Sequence, residues 1–206
     1  FIPEKAEHTG SAELCASCHT LYTPYVGDDG EVAGTFPEQV PYLEWQHSDY
    51  AESRVCQDCH MPAAEGSVKT ATTEGSKPRD PFAQHRFIGA NTYILKMLWA
   101  LGEELDVTAS SDHFARKIEQ TLDQLEHRTA TVGIRNAQLG DGEVQFDVVV
   151  ESFTGHKLPT GFPSRRAWLH VVVEDQAGNV LFESGGFRDD GSIVGNENDA
   201  DPAAYE

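Results

Sequence analysis

All four cysteines of this 206-residue chain fall in two copies of one pattern, Cys15-Ala16-Ser17-Cys18-His19 and Cys56-Gln57-Asp58-Cys59-His60. Two thiols three residues apart on a tight turn suit thioether bonds to the two vinyl groups of one haem. The next residue then lies under the iron, where an imidazole supplies the proximal ligand. The chain is therefore expected to fold around two covalent haem c groups. Cys15, Cys18, Cys56 and Cys59 would attach them, and His19 and His60 would be the proximal iron ligands. The competing readings explain less. One zinc ion on four thiolates leaves both histidines without a role. It also meets 37 residues between Cys18 and Cys56, where a zinc ribbon has about 15–20. A thioredoxin-like pair needs a βαβ setting, whereas these pairs lie among Pro, Gly and Asp. Structural disulfides suit an oxidising compartment but do not account for the histidines.

The two motifs sit in a turn-rich stretch. Pro24, Gly27, Asp28, Asp29, Gly30, Gly34, Pro37 and Pro41 punctuate the chain between them, and Pro62, Gly66, Gly75, Pro78 and Pro81 follow the second. Only short helices are expected there, over 11–19, 41–50 and 53–60. So irregular a region buries little apolar surface by itself. A large, flat haem would supply the missing core, with Phe36, Tyr42, Trp45, Phe82 and Phe87 as packing partners. Two amphipathic helices follow. Tyr93, Ile94, Met97, Leu98 and Leu101 share one face of the first. Ser110, Ser111 and Asp112 offer an N-cap for the second, on which Phe114, Ile118, Leu122 and Leu125 align. Met97 in the apolar stripe reads as core, and His113 and His127 as solvated.

After about residue 131 the hydrophobic period changes from helical to two. Val144, Phe146, Val148 and Val150 alternate with Gln145, Asp147 and Val149. Strands are expected near 133–138, 143–153, 166–174 and 179–184, with hairpin turns at Asp141-Gly142 and Gly178-Asn179. The fold class is thus α+β. An irregular, helical dihaem domain (1–130) precedes an antiparallel immunoglobulin-like sandwich (131–206). Four or five strands fall short of the roughly seven such a sandwich needs. The expectation is that the sandwich is incomplete here, the chain being a fragment or another segment finishing it.

Each iron has a second axial position, and seven histidines remain to fill it. His85 lies in His-Arg-Phe-Ile-Gly-Ala-Asn, where Phe87 can pack on a haem and Gly89 allows close backbone approach. His156 lies in a loop stiffened by Gly155, Pro159, Gly161 and Pro163, a rigid mount for a ligand. These two are the leading distal candidates, with His47 and His8 behind them. His170, beside Trp168 in a strand, reads as structural. Met61 follows His60 and cannot cap the same iron. Arg165 and Arg166 suit haem propionates, or form an ordinary surface pair. Asn196, Asn198, Asp199 and Asp201 offer hard oxygens for calcium without EF-hand spacing, and otherwise make a solvated acidic loop.

Charge narrows the partners. The chain carries 34 acidic and 15 basic side chains, a formal charge of −19. Nucleic acid and anionic membrane surfaces are poor partners for such a charge. A redox protein with a basic docking surface is expected instead, unless the acidity only keeps a secreted protein soluble. No run of apolar residues is long enough to span a bilayer. Covalent haem attachment places the protein in the periplasm or outside the cell.

Four segments carry a further likeness: Phe36-Pro37-Glu38-Gln39 with Tyr42-Leu43-Glu44-Trp45; Cys56 to Pro62; His85 to Asn91; and Gly155 to Arg166. In order and mixture the chain resembles a family of bacterial multihaem cytochromes c. The resemblance implies electron transfer, axial roles for His85 and His156, and a β-sandwich after the haem region. It also implies more haems than two in many members, whose chains run on past a segment like Asp199 to Glu206. The expected function is a dihaem carrier, or part of a multihaem one, passing single electrons between redox partners. Two alternatives remain open. One is a haem-based reductase of small oxyanions with an open iron site, although no Lys- or Arg-rich pocket is evident around either motif. The other is a protomer segment of a haem filament or membrane redox complex.

Overall fold

The computed structural model describes residues 6–163 and 165–196. The chain divides into two compact units, Phe1–Pro163 and Ser164–Glu206.

In the first unit a 3-10 turn, Glu7–Gly10, leads into α1, Ala12–Ala16. An antiparallel hairpin follows, β1 (Leu21–Val26) and β2 (Val32–Gln39), pairing Thr23 with Phe36 and Val26 with Val32. This hairpin corrects the expectation that only short helices occupy the stretch between the motifs. Pro24 and Pro37 read as breakers. In a two-stranded ribbon, however, each strand has a free edge, and a proline facing that edge removes no ladder bond. Tyr22, Thr23, Tyr25, Val32, Thr35 and Phe36 then express their strand preference. The turn closes through Gly30, whose φ of 80° needs a residue without Cβ. Asp29 Oδ1 accepts the Glu31 N–H at 3.0 Å.

Three helices expected near the motifs are present but shorter: α1, α2 (Pro41–Trp45) and α3 (Cys56–His60). Pro41 opens α2, where its fixed φ suits a first turn. Asp58 Oδ2 accepts the Val55 N–H at 3.0 Å and closes the first turn of α3. The amphipathic pair is α4 (Thr92–Ala100) and α5 (Ser111–Arg128). Asn91 caps α4, its Oδ1 accepting the Ile94 N–H at 2.9 Å. On α5, Phe114, Ile118 and Thr121 are buried, and Phe114 stacks on Trp99 with centroids 6.4 Å apart. Thr121 Oγ1 donates to the Lys117 carbonyl and so enters the interior paired. Leu122, expected on the buried face, is exposed, as is Met97, which was expected in the core.

Directly after α5 the chain forms β3 (Ala130–Gly140) and β4 (Glu143–Ser152). Asp141 and Gly142 both have positive φ, 52° and 81°, the hairpin turn expected from that dipeptide. A bulge interrupts the register between Arg135 and Gln138, where Asn136 has φ 53° and its side-chain amide donates to Asp147 at 2.6 Å.

The second unit contains the hairpin β5 (Val171–Glu174) and β6 (Val180–Ser184). Ile193 is its buried apolar side chain among the described residues, and Trp168 meets Phe187 edge-on at 5.3 Å. The Trp168 indole donates to the Gly185 carbonyl at 2.9 Å. Gly185 has φ 84°, and a Cβ there would collide with the Leu169 carbonyl oxygen.

No closed immunoglobulin-like sandwich is shown among the described residues. The strands make three separate two-stranded sheets, β1–β2, β3–β4 and β5–β6. The architecture is mixed helix and small antiparallel sheets. Each unit supplies one two-stranded sheet after residue 130, short of the roughly seven strands such a sandwich needs. Val132, Ile134, Leu139, Val144 and Val150 accordingly remain exposed.

The apolar core of the first unit is small. Its buried hydrophobic side chains among the described residues are Ala12, Ile88, Phe114 and Ile118, while Tyr22, Phe36, Phe87, Tyr93, Trp99 and Phe162 stay exposed. So many uncovered aromatic faces, next to so little buried area, suit a fold completed by a large apolar group.

Candidate haem-binding site

The first motif closes as a tight turn at the end of α1. The amides of Cys18 and His19 both donate to the Cys15 carbonyl, at 3.1 and 2.9 Å, which gathers the three functional residues. The second motif is α3 itself. The motifs are neighbours in space. Burial pushes the Cys56 thiol up to about 11, and the second cause is the charge of the nearby Cys15 thiol. Gln57 Nε2 reinforces the contact by donating to the Ser11 carbonyl at 2.8 Å. All four cysteines are free thiols, with Cys18 and Cys59 exposed. Among the described residues no three His, Cys, Asp or Glu side chains converge as ligands for a bare metal ion.

The most informative geometry surrounds His60. Its Nδ1 faces the Ile88 carbonyl, and the Ile88 amide returns a bond to the His60 carbonyl at 3.0 Å. A carbonyl only accepts, so Nδ1 carries the proton and Nε2 keeps its lone pair. The same holds for His156, whose Nδ1 donates to the Lys157 carbonyl at 3.0 Å. The two rings lie with centroids 6.2 Å apart and planes within 19° of parallel. Two imidazoles on opposite sides of one metal, with bonds of about 2.0 Å, place their ring centres roughly 6 Å apart. The spacing and the near-parallel planes are compatible with ligation of one haem iron, which requires each Nε2 to point along the line between the rings. Burial holds His60 below its ordinary range, partly offset by the Ile88 bond, with His156 and His19 adding to the depression. The neutral imidazole that results is the ligating form.

His156 is mounted through Gly155, which lies against the rings of Trp45 and Tyr50. A Cβ on Gly155 would stand 3.3 Å from Trp45 Cδ1 and 3.5 Å from Tyr50 Cδ2. Thr154 Oγ1 donates to the His156 carbonyl at 2.6 Å and ties the loop across its tip.

The other candidates are placed differently. His19 is exposed, with Nδ1 3.2 Å from Gln39 Oε1 on β2. His85 is exposed and meets the Phe87 ring edge-on at 5.7 Å. Phe87 has φ 46°, a left-handed conformation uncommon for an aromatic residue, which turns its ring outward beside His85. Among the described residues, His60 with His156 is the histidine pair in ring contact; His85, His47 and His8 have no such partner. His47 follows α2 and His8 lies in the first 3-10 turn, both exposed. Arg165 and Arg166 are exposed at the start of the second unit. His170 pairs with Glu183 at 3.0 Å, in keeping with a structural role. Of the calcium candidates only Asn196 is described; Asn198, Asp199 and Asp201 lie outside the described residues.

A basic cleft lined by no residue of either motif lies at His85. His85 and His113 share a cleft of about 480 Å³ with Arg86, Arg116 and Lys117. Lys117 Nζ donates to the carbonyls of Arg86 and Phe87. A basic pocket therefore does exist beside a candidate ligand. It was invisible because its cations come from the 85–87 turn and from α5. Gln39 and the Ile88 carbonyl were missed for a similar reason, since backbone acceptors and distant amides leave no trace in a motif.

Comparison with solved structures finds similarity to a penta-heme cytochrome c552 from Thermochromatium tepidum. Identity is 18%, the TM-score is 0.47, and 90% of this chain and 38% of that chain are covered. The chain thus spans well under two thirds of that cytochrome's length. No protein-family model matches the chain, and no curated protein matches it. No helix among the described residues is long and apolar enough to cross a membrane.

Proposed function

We propose that the chain is a dihaem electron-transfer unit, or a dihaem part of a larger multihaem carrier. Cys15 and Cys18 hold one haem and Cys56 and Cys59 the other, with His19 and His60 as proximal ligands. Haem, when bound, supplies reversible one-electron chemistry. The observation that carries the reading is the pairing of His60 with His156 at 6.2 Å, both rings oriented by their Nδ1 bonds. Such a pair leaves no open coordination position for a substrate, which suits a carrier rather than a catalyst. His85 is the proposed partner of His19. Its exposure and the turned-out Phe87 leave its imidazole free to ligate. The closeness of Cys15 to Cys56 supports this reading, since transfer between two haems requires neighbouring attachment points.

Covalent haem chemistry implies a periplasmic or extracellular protein, and the charge of −19 favours a redox partner with a basic face. Intact mass and a pyridine haemochrome spectrum test the proposal. Two haems, each with both vinyls converted to thioethers, are expected. Colourless protein, or protein holding zinc without iron, would refute it.

The cleft at His85 favours one second reading, a reductase of small oxyanions. Arg86, Arg116 and Lys117 have no carboxylate partner among the described residues and could hold an anion beside that haem. The discriminating measurement is nitrite or sulfite binding to the oxidised protein. A spectral change saturating at one haem supports the reductase, and no change supports the carrier.

A further inference from the structure

We propose that Glu44 is the positioning residue that seats His156 opposite His60. The inference rests on the axial role proposed for His156. Glu44 lies on α2, far from the loop in sequence, yet its Oε2 accepts two bonds from that loop. The Lys157 amide donates at 3.0 Å and the Thr160 hydroxyl at 2.6 Å. These donors bracket the segment just after His156. In a protein of charge −19 an ordinary glutamate would sit in solvent or pair with a cation. Glu44 is half-buried and has no cationic partner among the described residues. Its carboxylate is spent on backbone and hydroxyl donors, a use that fixes chain geometry rather than surface charge.

The same short helix grips the loop at a second point. Trp45, next in sequence, carries Gly155 against its ring, and its indole N–H is anchored on the Arg54 carbonyl at 3.0 Å. Tyr42 stacks on Trp45 from one turn earlier, with centroids 5.7 Å apart. α2 therefore holds the residues on both sides of His156 and leaves the imidazole to project toward His60. Glu44 does not reach the iron position and acts through the loop backbone, as groups behind a metal ligand do. The sequence Tyr42-Leu43-Glu44-Trp45 gains a purpose by this: three of its four side chains build the seat.

The test uses the holoprotein and cyanide as a probe of an open iron position. In Glu44→Ala the loop loses both acceptor bonds, and cyanide affinity of one haem should rise about 10–100-fold, with a growing high-spin signal. Glu44→Gln keeps an oxygen acceptor and should restore near wild-type affinity. Thr160→Val removes one bond of the two and should fall between them, which keeps the test decisive if Glu44→Ala does not fold. His156→Ala is the reference. If it opens one haem while Glu44→Ala and Thr160→Val bind cyanide as the wild type does, the role of Glu44 is overturned. A Glu44→Gln variant as open as Glu44→Ala would overturn the acceptor geometry. If His156→Ala itself stays closed, the axial assignment fails instead.

Discussion

Gly155 offers a perturbation whose size can be worked from the structure. Its φ lies outside the left-handed region, so a side chain there meets no backbone strain and the cost is steric alone. A Cβ would stand 3.3 Å from Trp45 Cδ1, which a shift of a few tenths of an ångström relieves, so Gly155→Ala should change little. Gly155→Val adds two further methyl groups in a gap bounded by Trp45 and by Tyr50, whose Cδ2 and Cβ lie at 3.5 and 3.8 Å. Overpacking of that kind costs about 1–3 kcal/mol. Applied to the seated loop alone, it raises the population with His156 displaced by roughly 5–150-fold. Apparent cyanide affinity of one ferric haem should rise by the same factor, because it scales with the competent fraction. An optical titration of the oxidised holoprotein measures it. Unchanged affinity in Gly155→Val, beside an opened haem in His156→Ala, would refute the claim that the Trp45 contact holds the loop.

Three further outcomes are expected. His156→Ala should convert one of the two haems to a ligand-accessible, high-spin form, His85→Ala the other, and the double variant both; EPR spectra and cyanide stoichiometry check this, and a fully low-spin His85→Ala without a substitute ligand would remove His85 from the site. Cys15→Ser with Cys18→Ser should lose one covalent haem by mass while the second remains, since each CxxCH pair serves its own group. In the second unit, the Asp175 carboxylate is held below its ordinary 3.8, first by the Asn179 side chain and then by the Asn179 amide. A depressed carboxyl stabilises its turn above that ordinary value and loses the effect as pH falls through the lower folded value. Exchange protection of the β5–β6 turn amides should accordingly be full at neutral pH and fade below about pH 4, and Asp175→Ala should abolish that dependence.

The parts of the structure legible in sequence were those set by local chemistry. The Cys-x-x-Cys-His turns, the Asp141-Gly142 hairpin and the apolar stripe of α5 depend on residues within a few positions of each other. The β1–β2 hairpin was not legible, because Pro24 and Pro37 forbid a central strand and only the two-stranded pairing makes them harmless. The strand count already indicated an incomplete sandwich, and the described residues show no closed one. His156 could be singled out from its Gly/Pro setting. Its pairing with His60, and the carboxylate of Glu44 beneath its loop, depend on contacts across more than ninety residues of chain, which no local pattern records.

With a haem on each motif, as proposed, the nearness of Cys15 to Cys56 governs how the protein fills with charge. Sites anchored on adjoining thiols share one poorly screened neighbourhood, so the field of an electron held at one is felt at the other. Uptake at the first then makes uptake at the second more costly, and the titration curve broadens beyond that of independent centres. On the proposed dihaem reading this repulsion acts equally on both motifs, so it spaces the two uptake steps without favouring either site.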